Sequence, residues 1–168
     1  MSGHVRELRP CDLGRVLEIN QANTPEVGSI DADRLDFLFN ESAIALVAAI
    51  GPEVVGFALV LPPGSTYDSV NYRWFADRGD DVMYLDRVAI DVDRRGLGFG
   101  SALYSSVFDR IAADHAGMTR LGLEVNVEPP NPGSMAFHEA LGFTEVGRQR
   151  TPYGAVVSLM ERPVGSDR

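Results

Sequence analysis

The feature that most constrains this chain is an apolar strand that ends in a glycine-rich turn and continues as a helix. Residues 83–92 are mostly apolar and predict the strand. The turn that follows has glycine at positions 96, 98 and 100. Beyond it, Phe99, Leu103, Val107 and Ile111 recur every fourth residue and predict one apolar face of a helix that ends near residues 115–117. The rest of the chain has to be arranged around this unit.

The other elements follow from periodicity and from capping residues. The runs 44–50 and 54–61 flank Gly51 and Pro52, so they predict a hairpin. Two segments rich in proline, glycine and polar residues, 62–82 and 127–134, are predicted as long loops. Further strands are predicted at residues 4–9, 121–127, 144–149 and 155–161, and helices at residues 10–23, 31–42 and 131–142.

Length and composition indicate a single globular domain over residues 1–168. Of the 168 residues, 45% are hydrophobic and 23% are charged, which excludes wholesale disorder, collagen-like repeats and a coiled coil. Acidic residues outnumber basic ones by 24 to 15. The resulting net charge of −9 argues against a protein that binds the nucleic-acid backbone.

Nothing in the sequence points to a disulfide, a metal site or a membrane. Cys11 is the only cysteine, and His4, His115 and His138 are too scattered for a zinc site. Six charged residues fall within positions 6–18, and no run of about 18 apolar residues occurs. We therefore expect a cytoplasmic protein without a bound metal or a membrane partner.

The glycine turn is suited to holding a phosphate group. A strand that leads through glycines into a helix presents free main-chain amides at the positive end of the helix dipole. Arg94 and Arg95 at its entrance would add attraction for a multiply charged ligand. The alternative is that Gly96, Gly98 and Gly100 only make a tight connection between strand and helix.

Spacing distinguishes among the phosphate-bearing ligands. A nucleoside-triphosphate loop needs a lysine after its second glycine, and this turn has none. A dinucleotide fold normally carries G-x-G-x-x-G in its first strand–helix unit, whereas here G-x-G-x-G follows a long stretch of other structure. Coenzyme A is the better match, and a nicotinamide-dependent oxidoreductase is the alternative.

Two segments of the chain resemble the GCN5-related N-acetyltransferase superfamily. The first, Arg95-x-x-Gly98-x-Gly100, fits the family pattern Q/R-x-x-G-x-G/A and lies between a strand and an amphipathic helix. The second runs from Asn131 to Phe143 and resembles the family segment between the asparagine after the fifth strand and the Gly-Phe before the sixth. With the order of the elements, the resemblance covers residues 4–161.

This resemblance implies an acyl-CoA N-acyltransferase fold, which belongs to the α+β class with α/β/α-like layers. Its mixed, mostly antiparallel sheet would have six or seven strands and would open between the fourth and fifth strands, where acetyl-CoA lies. The resemblance also implies the residues that bind acetyl-CoA, namely Val88, Ala89, Ile90 and Asn131 at the pantetheine arm and Arg95, Gly96, Leu97, Gly98, Phe99, Gly100 and Ser101 at the pyrophosphate.

Glu124 is the first candidate for the general base that takes a proton from an acceptor amine. It lies in Leu123-Glu124-Val125, which resembles the Leu-Glu-Val of ribosomal-protein N-terminal acetyltransferases, where that glutamate is the base. The loop that follows is longer here because of Glu128-Pro129-Pro130. The alternative is a strand-end carboxylate paired with an arginine.

Asp86 is the second candidate for the base. By two-residue alternation it shares a strand face with Val88 and Ile90, and a charged residue in an apolar run needs a partner or a task. The alternative is an ion pair with Arg87 or Arg73.

His138 stands where the family usually has the tyrosine that protonates the departing CoA thiolate. An imidazole can donate a proton near neutral pH, so His138 is the candidate general acid. Tyr104 and Tyr84 are alternative donors, and a structural role in helix packing is the third interpretation.

The family builds its acceptor pocket from the first two helices, the loop before the fourth strand and the last hairpin. Phe37, Tyr72 and Trp74 fall in these regions and are the predicted acceptor-binding residues. Their rings could form a wall for a cation. For Trp74 the alternative is that it anchors a long loop to the core.

The sequence therefore predicts a cytoplasmic, acetyl-CoA-dependent N-acetyltransferase. By resemblance, the amine attacks the thioester directly in a ternary complex, so no catalytic cysteine is needed. The expected acceptor is a primary amine of a small molecule or a peptide, and a homodimer is left open. The alternative is a binding protein and not an enzyme, namely a non-catalytic acyl-CoA-binding module of the same fold that has lost its general acid at position 138.

Overall fold

The computed structural model describes residues 2–165, which form a seven-stranded sheet with helices on both faces. Met1 and residues 166–168 belong to the predicted domain but lie outside the described residues. The strands are β1 (Gly3–Glu7), β2 (Ile44–Ile50), β3 (Glu53–Leu61), β4 (Val82–Ile90), β5 (Arg120–Glu128), β6 (Thr144–Arg150) and β7 (Val156–Pro163). The helices are α1 (Leu13–Ala22), α2 (Ala32–Glu41), α3 (Val70–Ala76), α4 (Phe99–Asp114) and α5 (Pro132–Ala140).

The sheet opens between two of its strands. The strand order is β1-β2-β3-β4-β5-β7-β6, and β4 and β5 are parallel while the other neighbours are antiparallel. The parallel pairing is limited to Val82–Tyr84 against Arg120–Gly122. Beyond these residues the two strands part, while β4 stays paired with β3 and β5 with β7. The predicted fold class and the predicted opening between the fourth and fifth strands are confirmed.

Where β4 is no longer paired with β5, the main-chain amides and carbonyls of every second residue face the gap. Asp91 N donates to Val55 O at 2.7 Å, which sets the hydrogen-bonding phase of the β3–β4 ladder. In that phase Val88 and Ile90 direct their amides and carbonyls away from β3 and toward the gap. Ala89, also predicted to bind the cofactor, has the opposite orientation, so its main chain faces β3.

A bulge in β4 shifts the side-chain alternation at the opening. Asp86 has no partner in β3 because the register of the ladder changes there. Asp86 and Arg87 consequently both lie on the face of the sheet that packs against α1, α2 and α3, whereas Val88 and Ile90 pack on the opposite face. The expectation that Asp86 shares a face with Val88 and Ile90 is wrong for this reason.

Each face of the sheet has its own hydrophobic core. Neighbouring strand residues point to opposite faces, as Met83 and Tyr84 of β4 show. One core lies against α1, α2 and α3, and the other lies against α4 and α5. The apolar stripe predicted for α4 forms part of the second core, where Leu103, Val107 and Ile111 are fully buried.

The segment 62–82, predicted as a loop, contains the helix α3. Ser69 begins this helix, because its hydroxyl accepts a hydrogen bond from Tyr72 N at 3.3 Å. The helix has only seven residues, and the buried rings of Tyr72 and Phe75 hold it against the sheet. A helix this short has too few residues to show a helical period of apolar residues, so the sequence pattern does not indicate it.

Other boundaries differ little from the prediction. The loop predicted at 127–134 shrinks to residues 129–131, between β5 and α5. Val92 belongs to a 3-10 turn after β4 and not to the strand. None of the helices in residues 2–165 has the length and apolar character of a membrane span. In the same residues no three His, Cys, Asp or Glu side chains group as metal ligands.

We predict that Gly122→Ala destabilises the fold at the point where β4 and β5 part. A Cβ at Gly122 would come within 2.7 Å of the buried Phe75 ring. Overpacking of this kind costs about 1–3 kcal/mol, which urea denaturation would detect as a lower midpoint. Gly133→Ala is the matched control, because a Cβ there meets nothing within 4 Å. Equal stability of the two variants would contradict the prediction.

Candidate active site

The glycine turn after β4 leads into the first turn of α4. Asp91 begins a 3-10 turn at residues 92–94 by accepting a hydrogen bond from Asp93 N at 3.1 Å. Gly96 and Gly98 then adopt positive φ values of 76° and 87°, a region that glycine enters without steric cost. Gly98 is the N-cap of α4 and has no side chain to cover the end of the helix.

Free amides lie at this end of α4. Ala102 N makes the first intrahelical bond, to Gly98 O at 3.0 Å. The amides of Phe99, Gly100 and Ser101 therefore have no partner within the helix. Together with the helix dipole they form a positive site that can accept an anion.

The two arginines at the turn differ in their surroundings. Arg94 points at Glu53, with nitrogen–oxygen distances of 3.4 and 3.5 Å to the two carboxylate oxygens. Arg95 donates to Asn23 Oδ1 at 2.7 Å and so links the turn to the end of α1. Both positive charges lie at the turn as predicted, but each already has a partner within the protein.

Glu124 lies on β5 just beyond the residues that pair with β4. Tyr84 Oη donates to Glu124 Oε2 at 2.5 Å. Burial raises the pKa of Glu124 to about 8, the nearby Asp86 charge adds to the rise, and hydrogen bonds from Tyr84 and Asn71 oppose it. The hydrogen-bond partners of Glu124 are thus a phenol and a carboxamide, and not the arginine that was the alternative.

Asp86 is an enclosed charge at the same gap, with a side chain 4% exposed. Tyr67 Oη and Arg87 Nε each donate to it at 2.7 Å. Arg87 also donates to Asn20 Oδ1 at 2.9 Å and to Gly28 O at 3.0 Å. The alternative pairing of Asp86 with Arg87 is therefore present, and the pair joins β4 to α1 and to the loop after α1.

A row of aromatic rings lies beside these two carboxylates. Tyr67, Tyr72 and Tyr84 have successive ring centroids 5.7 and 5.5 Å apart, and Phe37 adjoins Tyr67 at 6.3 Å. Arg34 lies over the rings of Phe37 and Tyr67, at 5.2 and 4.9 Å from their centroids. A cation therefore covers the predicted aromatic wall, but it is the protein's own arginine.

Trp74 lies apart from this row of rings. It packs over Gly147 of β6, where an added Cβ would meet the indole at 2.6 Å. The guanidinium of Arg78 covers the indole at 4.4 Å. The structure thus brings Phe37 and Tyr72 into one row of rings and places Trp74 of α3 against β6.

Asn71 is a site residue that the sequence analysis did not select. Its side chain is buried, donates to Tyr153 Oη at 3.2 Å and accepts from Gln149 Nε2 at 2.7 Å. It also hydrogen-bonds the carboxylate of Glu124 and lowers its pKa. An asparagine within an aromatic segment is the available signal, but its meaning depends on α3, which the sequence analysis assigned to a loop.

His138 is buried between α5 and α4. Tyr104 Oη lies 2.5 Å from His138 Nε2, and His138 Nδ1 lies 2.7 Å from Ser134 O. Because a carbonyl oxygen can only accept, the neutral ring carries its proton on Nδ1 and its Nε2 accepts from the Tyr104 hydroxyl. Burial lowers the pKa of His138, which favours this neutral form. Asn131 begins α5 nearby, where its side chain accepts from Ser134 N at 3.2 Å.

The Tyr104 hydroxyl that bonds His138 is itself buried. Burial raises the pKa of Tyr104, and the charge of Glu124 adds to the rise. The gap therefore has two carboxylates beside it, Asp86 and Glu124, and the His138–Tyr104 pair lies between α5 and α4.

A sheet that opens between parallel β4 and β5, with a glycine turn and a helix end beside the opening, defines the class of acyl-CoA N-acyltransferases. The profile of the acetyltransferase (GNAT) family matches residues 13–143, which include the turn, Glu124 and His138. The chain belongs to this acetyltransferase family.

Solved structures of low sequence identity share this fold. Ard1 from Thermoplasma volcanium has a TM-score of 0.79 and 21% identity, covering 99% of this chain and 100% of that chain. The ribosomal-protein-S18-alanine N-acetyltransferase from Escherichia coli has a TM-score of 0.74 and 20% identity, covering 99% and 97%. The Salmonella typhimurium protein yncA, solved with its cofactor acetyl-CoA, has a TM-score of 0.73 and 19% identity, covering 100% and 97%. A search of curated proteins found no match.

We predict that the carboxyl group of Glu124 titrates near pH 8. Its pKa in the fold, about 8, exceeds its ordinary value of 4.5, so between these values the native state holds a proton that the unfolded state releases. The stability that this proton contributes is full below pH 4.5 and is lost as the pH rises through 8. Carbon-13 NMR of labelled glutamate side chains would follow the titration, with Glu124→Gln to assign the resonance.

In the same experiment Tyr84→Phe is expected to raise the pKa of Glu124 further. The substitution removes a hydrogen bond that favours the carboxylate over the neutral acid. Glu128→Gln, a change at an exposed position on the same strand, should leave the resonance unmoved. A wild-type titration midpoint at the ordinary value of a glutamate would contradict the assignment.

Proposed function

We propose that the enzyme transfers the acetyl group of acetyl-CoA directly to a primary amine of a small molecule or a peptide. The observation that carries this proposal is the gap itself, which has Glu124, with its raised pKa, on one side and the unpaired edge of β4 with its glycine turn on the other. One side can hold an acyl donor and the other can receive a proton. The free thiol of Cys11 is exposed before α1, on a segment that forms no part of the gap described above.

The β4 side of the gap fits acetyl-CoA, which supplies the thioester whose carbonyl the amine attacks. The three free amides at the start of α4 would hold the pyrophosphate. Val88 would hydrogen-bond the pantetheine arm through its main chain, much as it would bond a further strand. Ile90 would contribute its amide, because its carbonyl already accepts from Asn23 at 3.0 Å. Asn131, at the start of α5, is the further contact that we propose for the pantetheine arm.

Glu124 is the group best suited to deprotonate the acceptor. An alkylammonium has a pKa of about 10.4, so moving its proton to a carboxylate of ordinary pKa costs about 8 kcal/mol, whereas moving it to Glu124 costs about 3 kcal/mol. Asp86 is the weaker candidate, because Arg87 and Tyr67 already donate to it and stabilise its charge. Its negative charge instead helps to raise the pKa of Glu124.

The acid role of His138 stays a prediction, and the hydrogen bonds around it define what that role requires. In the neutral form neither ring nitrogen directs a hydrogen toward the gap. Proton delivery would therefore run through Tyr104: protonated His138 donates to Tyr104 Oη while Tyr104 gives its own proton to the leaving thiolate. The burial that lowers the pKa of His138 opposes its protonated form.

This closed histidine–tyrosine pair is the observation that favours a second candidate function. A protein of this fold that cannot protonate the thiolate would bind acyl-CoA without turning it over. The two functions differ in one measurable respect, which is acetyl transfer to any amine.

On the acceptor side of the gap, we assign different roles to the two predicted aromatic residues, Phe37 and Tyr72. Phe37 is partly exposed, so we assign it direct contact with the acceptor. Tyr72 is buried and its hydroxyl donates to Pro62 O at 2.7 Å. We therefore assign it a packing role, in which it supports the neighbouring rings without contacting the acceptor.

We predict that Gly98→Val abolishes acetyl-CoA binding. A Cβ at Gly98 meets nothing within 4 Å and would project into the open space beside the free amides. Gly64→Val is the matched control, since Gly64 has the same φ of 87° and equally open surroundings, and both variants carry similar backbone strain. Calorimetry measures the affinity, and a thermal shift with NAD instead of acetyl-CoA tests the nicotinamide alternative. Wild-type affinity in Gly98→Val would refute the phosphate site.

We predict that the rate of acetyl transfer rises with pH up to about 8, as Glu124 loses its proton. Glu124→Gln is expected to lower kcat by about 100-fold or more and to remove this rise, with acetyl-CoA affinity unchanged. Release of free thiol across a panel of amines measures turnover, and Glu128→Gln is the control at an exposed position of the same strand.

Two outcomes of that assay would count against these assignments. An unchanged pH profile in Glu124→Gln would remove this residue as the base. Tight binding of acetyl-CoA by the wild-type protein, with no transfer to any amine, would select the binding module over the enzyme.

A further inference from the structure

Asn23, directly after α1, joins the glycine turn to the rest of the protein. Its side chain is buried, and its Oδ1 accepts from Arg95 at 2.7 Å. Its Nδ2 donates to Ile90 O at 3.0 Å and to Ile19 O at 2.8 Å, so both amide hydrogens are in use. One carboxamide thereby fixes a side chain of the turn, the gap edge of β4 and its own helix.

These contacts indicate that Arg95 holds the turn in place. Its guanidinium reaches back across 72 residues of sequence to Asn23. The contact lies directly before Gly96 and Gly98, whose positive φ values belong to residues with wide conformational freedom. A turn that is fixed before its ligand arrives loses less entropy on binding. The Asn23–Arg95 bond supplies the fixed position that glycines alone cannot.

A second contact from α1 holds the start of the 3-10 turn that leads into the glycine turn. Arg15 Nε donates to Val54 O at 3.2 Å, and its guanidinium pairs with Asp91, the residue that begins the turn. The segment from Asp91 to Arg95, which leads into the glycine turn, is therefore attached to α1 at both of its ends.

We propose that Asn23 is a positioning residue for cofactor binding. Through Arg95 it holds the free amides at the start of α4 where they can bind a diphosphate, and Arg95 is a tether of the turn and not a ligand of the phosphate. The inference rests on the proposed function, because it takes this turn as the acetyl-CoA site. Asn23 itself has no part in the chemical step.

Asn23→Ala is expected to weaken acetyl-CoA binding about tenfold, as loss of a hydrogen bond to a charged group does. The Michaelis constant for acetyl-CoA should rise by the same factor, while kcat at saturation stays within about twofold of wild type. The direction of the change is diagnostic, because this variant leaves Arg95 in place and frees its guanidinium. If Arg95 were a phosphate ligand, affinity would be equal or tighter, and that result would overturn the proposal.

Asn20→Ala is the matched control on the same helix. Asn20 is fully buried one turn earlier, but its side chain contacts Gly28 O and Arg87 and not the glycine turn. Its substitution should leave acetyl-CoA affinity unchanged. An equal loss in Asn20→Ala and Asn23→Ala would assign the effect to loosening of α1 and would overturn the proposal.

Arg95→Ala removes the same contact by changing its exposed partner instead of the buried Asn23. This variant provides the test if Asn23→Ala does not fold. Loss of a tether lowers affinity about tenfold and keeps the salt dependence of binding, whereas loss of a phosphate contact makes binding less sensitive to salt and would overturn the proposal. In the double variant we expect no loss beyond that of either single change, and additive losses would overturn the proposal. Absence of acetyl-CoA binding by the wild-type protein would overturn the proposed function itself, whereas wild-type binding with undiminished affinity in Arg95→Ala overturns this inference alone.

Discussion

The parting of β4 and β5 is the constraint on which the rest of the structure depends. A strand within a sheet that loses its neighbour keeps main-chain donors and acceptors that need partners. In β4 these groups belong to Val88 and Ile90, and the protein supplies a partner for the Ile90 carbonyl through Asn23. An extended ligand with its own amides is the natural complement of such an edge. The gap, the free helix end beside it and the contacts from α1 are therefore parts of one arrangement.

The electrostatics of the gap follow from how its two carboxylates are partnered. Asp86 has a cationic partner, Arg87, which is itself bonded to α1 and to the loop after it. Glu124 has Tyr84 and Asn71, which are neutral, so the cost of removing its charge from water is not offset by a nearby cation bonded to it. Two acids on adjacent strands thus differ in the charge of their hydrogen-bond partners.

The sequence predicts those parts of the fold that have long, regular patterns. The strands β2 and β3 and the helix α4 have such patterns, and the glycines of the turn indicate where the main chain can bind an anion. The bulge at Asp86 could not be predicted, because a shift of one residue in a ladder leaves no mark on the apolar pattern. The Asn23–Arg95 bond joins residues far apart in sequence. The position of Asn71 depends on α3, whose seven residues are too few for a periodic signal.

The short pairing between β4 and β5 also divides the sheet into two parts. Main-chain hydrogen bonds hold β1–β4 together as one part of the sheet and β5–β7 together as a second part. Three residue pairs between β4 and β5 join the two parts. The glycine turn belongs to the first part, whereas Tyr153, 69% exposed between β6 and β7, belongs to the second. Substitutions in the terminal hairpin therefore reach the turn mainly through side-chain contacts across the gap and through the two shared cores, because few main-chain bonds join the two parts.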